Sequence, residues 1–96
     1  MTGYSSMTDN ELCQEVSKRK EWVAHNWLDD DAATWRALVE MPWAYLQMVG
    51  SSGSEYWVCG FGMWCAGRAL DHNPTRAVWI AWLTWRDSQD ERPQNK

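Results

Sequence analysis

The sequence predicts an α+β fold: a small helix-sheet-helix sandwich whose elements run α-α-β-β-(β)-α around an antiparallel hairpin. Three observations predict it. Helix-start signals stand at Thr8 and at Asn73-Pro74, near the two ends of the chain. Two short apolar segments flank the small-residue run Gly50-Ser51-Ser52-Gly53-Ser54, the pattern of two strands joined by a turn. Both segments are apolar on both alternating faces, whereas a sheet with one wet face alternates apolar with polar, so covering layers are expected on each side. With 96 residues there is room for one domain. It is placed at residues 8–87, between a disordered start at 1–7 and a flexible tail at 88–96.

The first helix begins at a capping box, Thr8-Asp9-Asn10-Glu11, in which the Thr8 hydroxyl accepts from the N–H of Glu11 and the Glu11 carboxylate reaches back to the N–H of Thr8. Leu12, Val16, Val23 and Trp27 then fall on one stripe at helical spacing, and Glu15 stands four residues before Arg19 for an ion pair. Trp22 lies off that stripe. Asp29, Asp30 and Asp31 form an acidic run that reads as the N-terminal cap of a second helix, because carboxylates suit the unpaired N–H groups of a helix start. That helix is expected over residues 31–41, burying Trp35, Leu38 and Val39 and ending before Pro42, since proline disfavours helical geometry in the residue before it.

Strands are expected at residues 43–49 and 56–61, with an open choice at 62–70, where Trp64, Cys65, Ala66 and Ala69 would supply a third. The last helix starts with Asn73 as cap and Pro74 at its first position, and runs over residues 74–87. Ala77, Val78, Ala81 and Trp85 share one arc of it with Trp82 at the edge, while Trp79, Ile80 and Leu83 fall outside. A helix apolar nearly all round is deeply buried or has a second partner.

Composition excludes some function classes. A net charge of −4 argues against binding nucleic acid directly, because neutralising phosphates needs a basic footprint. No apolar run approaches the roughly 20 residues of a membrane span, and the start lacks the basic-then-apolar order of a secretory signal, so a soluble protein of the cytoplasm is expected. Cys13, Cys59 and Cys65 lack the short paired spacing of a disulfide framework or metal site and read as small buried hydrophobes. Nothing selects a catalytic residue, cofactor or metal ligand: the two histidines, His25 and His72, have no adjacent nucleophile pattern, and Gly50-x-x-Gly53 lacks the lysine and context of a phosphate loop.

The outlier is tryptophan, nine residues against one phenylalanine. Most of these indoles must fill the core, each needing an acceptor for its N–H. Those left over by the helical stripes, among them Trp22, Trp64 and Trp79, are candidate interface anchors, because Trp and Arg dominate binding hot spots. On the last helix the candidate contact is Trp79, Trp82, Leu83 and Arg86.

Several segments resemble a family of small phage proteins, the phage ABA sandwich domain: Met7-Thr8-Asp9-Asn10-Glu11-Leu12, the helix through Trp27, Ala37-Leu38-Val39-Glu40-Met41, and Ala77-Val78-x-x-Ala81-x-Leu83 after the Asn-Pro cap. The resemblance spans about residues 7–84. It implies a helix-sheet-helix sandwich and a phage or prophage origin, and it brings no catalytic residues. Trp79 stands where the family has Cys, and Trp82 where it has a small Ala, so the indoles must widen the helix-sheet gap or turn outward.

Together these readings lead to an expected phage-encoded accessory protein that inhibits a host protein by contact, such as a CRISPR-Cas or other defence component. Asp29, Asp30 and Asp31 would face a basic groove in one mode; Trp79, Leu83 and Arg86 would enter a pocket in the other. The alternative is a self-associating structural or scaffold protein, a homodimer formed through the extra face of the last helix.

Overall fold

The computed structural model describes residues 4–21, 25–50, 53–62 and 67–90. Three helices, α1 (Asp9–Lys20), α2 (Asp31–Glu40) and α3 (Pro74–Asp90), accompany three strands, β1 (Tyr45–Val49), β2 (Tyr56–Phe61) and β3 (Gly67–Asp71). The strands form one antiparallel sheet in the order β1-β2-β3. Class and element order are those the sequence predicts, with the third strand present.

The layers are stacked differently from the expected sandwich. α3 packs on β2 and β3 with one side and receives α1 and α2 on the other, so the central layer is a helix and the sheet lies outside. Seven consecutive residues, Ala77 to Leu83, are each 5% exposed or less, which only a helix surrounded on all sides can show. Cys59, Phe61 and Ala69 are the sheet residues in the core, with Leu46 and Trp57 against them. The opposite face presents Gln47, Arg68 and Leu70 to solvent. On that face Tyr45 lies across Gly60, where a Cβ would meet the Tyr45 ring at 2.6 Å, so any side chain at this position would displace the ring.

Local chemistry explains the helix ends. The capping box forms at Thr8, with Thr8 N–H to Glu11 Oε1 at 2.9 Å and Glu11 N–H to Thr8 Oγ1 at 3.2 Å. α1 stops at Lys20, where Glu21 adopts a left-handed conformation, rather than continuing through Trp27 as its stripe predicts. Trp27 instead enters a 3-10 turn, Trp27–Asp29, and is buried there. Within the expected disordered start at 1–7, Tyr4–Ser6 is a 3-10 turn, and Arg76 donates to the carbonyls of Ser5 and Met7 at 3.3 and 2.9 Å. α3 also continues to Asp90, three residues into the expected tail.

The buried face of α2 differs from the sequence reading. Ala37 and Met41 are buried, Ala33 and Leu38 lie against the core, and Trp35 and Val39 are exposed. The reason is size. α2 packs on α3 where α3 carries Trp79 and Trp82, and the two indoles are met by Ala33 and Ala37 with Leu38 and Met41, leaving the bulkier Trp35 outside.

Three buried indoles each find an acceptor. Trp27 Nε1 donates to Ser17 Oγ at 2.9 Å, Trp79 Nε1 to Trp27 O at 3.1 Å and Thr34 Oγ1 at 3.0 Å, and Trp82 Nε1 to Glu40 Oε1 at 2.8 Å. Trp79 stacks at tilted or edge geometry on Trp27 and Trp82, with ring centroids 5.6 and 5.4 Å apart. Lys20 closes the cluster, its ammonium 5.4, 5.9 and 5.0 Å from the centroids of Trp27, Trp79 and Trp82.

Candidate protein-binding surface

The contact predicted on the last helix is not at the surface. Trp79, Trp82 and Leu83 are fully buried, and Arg86 is half-buried with its guanidinium 5.3 Å from the Trp82 ring centroid and donating to the Arg19 carbonyl at 3.3 Å. The indoles in place of small residues neither turn outward nor form a dimer face. They meet the layer of α1, α2 and the Trp27–Asp29 turn. Trp22 and Trp64 lie outside the described residues.

Among the described residues the exposed indoles are Trp35 and Trp43, 66% and 71% exposed, and Val39 between them in sequence is 67% exposed. Trp35 and Val39 are one helical turn apart on the same side of α2. Trp43 follows in the turn after Pro42 with φ of 53°, a left-handed backbone that in such a turn usually belongs to glycine. The turn is held by Gly62 N–H donating to Pro42 O at 2.7 Å. A bulky residue in a strained conformation, buried against nothing, costs stability of order 1–3 kcal/mol and gains no packing in return.

The flanks of this surface are acidic. Asp31 lies one turn before Trp35, and Glu40 follows Val39, both exposed, with Arg36 the exposed basic residue on the helix. Asp30 serves as the helix cap, accepting from Ala33 N–H at 3.0 Å. That bond, and then the His25 imidazole at 2.8 Å, holds its carboxyl below the usual range. Asp29 accepts from Asn26 Nδ2 at 2.6 Å. The acidic run therefore does capping work in its centre and leaves Asp29 and Asp31 exposed beside it.

A second feature is an open cleft of about 780 Å³ beside α1, lined by Asp9, Cys13, Ser17, His25 and Asn26 among others. Its chemistry divides into two separate pairs. The Cys13 thiol meets Asn26 Oδ1 at 3.6 Å, and the His25 imidazole meets Asp30, so the described geometry joins no thiol to a base. Among the described residues no group of three His, Cys, Asp or Glu side chains is arranged to hold a metal ion. No described helix is long and apolar enough to cross a membrane. Burial pushes the Cys59 thiol up to about 12, leaving it neutral and inert in the folded core.

Sequence reasoning missed Trp35 because it counted the larger residues of α2 as its buried face. It missed Trp43 by placing it in the first strand. The available signal for Trp43 was Pro42, which starts a turn as readily as it ends a helix. Comparison with family models, with curated proteins and with solved structures gives no match, so function rests on the geometry above.

Proposed function

We propose that this chain acts by binding another protein, without chemistry of its own, through the exposed side chains of Trp35, Val39 and Trp43. The observation that carries this reading is Trp43: a 71% exposed indole at a left-handed φ, next to Pro42, whose carbonyl accepts a hydrogen bond from Gly62 N–H. Large aromatics are efficient anchors, since an indole buries a large area on binding for only two side-chain torsions. The acidic flanks, Asp29, Asp31 and Glu40, together with the net charge of −4, fit a partner whose apolar slot is rimmed by basic side chains. The narrower proposal is a phage accessory factor working in the cytoplasm of a bacterial host, where it inhibits a defence component. Its support is the sequence resemblance to small phage proteins together with the acidic, indole-bearing surface.

Parallel affinity capture from host lysate with the native chain and with a Trp35→Ala, Trp43→Ala double variant tests the binding reading. A partner held by the native chain and lost by the double variant is expected. One retained equally by both assigns the contact elsewhere, and absence of any specific partner overturns it. Plaque counts on a host carrying an active defence system test the narrower proposal: expression of the chain should raise them, and the double variant should not.

A further inference from the structure

We propose that β1 is the contact between two copies of this chain, the two Tyr45–Val49 strands pairing antiparallel about a twofold axis at Gln47. β1 is an edge of the sheet, so alternate N–H and C=O groups along it face away from β2, and among the described residues no strand pairs with this side. Natural edges are usually blunted by charge, proline, a bulge or a covering segment. The other edge shows such devices: β3 carries Arg68 and Asp71, and the Tyr4–Ser6 turn packs beside it. β1, with the sequence Tyr-Leu-Gln-Met-Val, carries none of these residues and pairs with β2 without a break over its whole length.

The occupant that fits is a second copy because the strand is complementary to itself. A twofold at Gln47 sets Leu46 opposite Met48 of the second copy, and Tyr45 opposite Val49, with Gln47 facing its own equivalent. Continued one step, the register sets Ala44 opposite Gly50, both small. Leu46 and Met48 share the face of the sheet that α3 covers over β2 and β3, yet Met48 is 54% exposed. Pairing places an apolar side chain against it. Charge selects the same place: two chains of −4 each repel wherever their charged faces approach, and this uncharged strip lets them meet without juxtaposing like charges. The contact uses residues distinct from Trp35, Val39 and Trp43, and holds whether or not those bind a further protein.

Sedimentation of the full chain over a dilution series tests it, with Gln47→Glu and Gln47→Lys variants alongside. The native chain is expected to dimerise reversibly. Each variant places like charges face to face at the axis and should weaken the dimer by about tenfold or more, while an equimolar mixture of the two restores it. Far-UV circular dichroism checks that both variants are folded, and Met48→Lys serves as a second exposed site that should also weaken the dimer. A native chain that stays monomeric throughout overturns the proposal. So does a dimer indifferent to all three substitutions, or a mixture that fails to recover association.

Discussion

Buried indoles differ in what their N–H groups find, and the difference is measurable with one substitution type. Trp79 Nε1 has two acceptors, whereas the buried Nε1 of Trp85 has none among the described residues. Trp79→Phe loses two satisfied hydrogen bonds, to the Thr34 hydroxyl and the Trp27 carbonyl, and leaves a void, so it should cost about 2–4 kcal/mol. Trp85→Phe removes an unpaired donor and should cost under about 1 kcal/mol or stabilise. Urea denaturation of the two variants checks the contrast. At Trp43 the strain argument gives an opposite sign: Trp43→Gly suits the left-handed backbone and should raise stability by about 0.5–1 kcal/mol while losing partner contact.

Among the elements, the helix starts are set by residues adjacent in sequence and were legible from it. Thr8 and Glu11 complete their capping box with no help from the rest of the molecule, and Thr8→Ala should cost about 1 kcal/mol in thermal unfolding. Asn73 and Pro74 likewise open α3, the Asn73 carboxamide accepting from Thr75 N–H at 2.9 Å. What depends on partners far along the chain was not legible. The end of α1 at Glu21 and the inward side of α2 follow from how Trp27, Trp79 and Trp82 fill the centre, and α2 turned its alanines inward because α3 supplied the bulk. Periodicity ranks residues by apolarity, and a helix facing two indoles is ranked by size.

At the scale of the whole molecule, two arginines tie the layers together. Arg76 joins Asp71 at 3.0 Å and Asp9 at 2.6 Å, linking the starts of α3 and α1 to β3. Arg19 bonds Asp87 at 2.9 Å and Tyr4 at 2.9 Å, and Tyr4 donates to Asp87. Burial, and then that bond to Asp87, pushes the Tyr4 hydroxyl from its ordinary 10.0 up to about 12. The folded state therefore holds this proton more tightly than the unfolded chain does. Its stabilising contribution is complete below pH 10 and is lost as pH rises towards 12. Melting temperatures across that window should fall for the native chain and fall less for Tyr4→Phe.

The distribution of tryptophan between core and surface underlies both the fold and the proposed contact, and it inverts the assignment that stripes alone give to Trp35 and Trp79. Equilibrium denaturation of Trp79→Ala beside the Trp35→Ala, Trp43→Ala double variant tests it most directly. Trp79→Ala should lose about 3–5 kcal/mol or fail to fold, and the double variant should stay within about 1 kcal/mol of the native chain. A stable Trp79→Ala with an unfolded double variant would contradict the account.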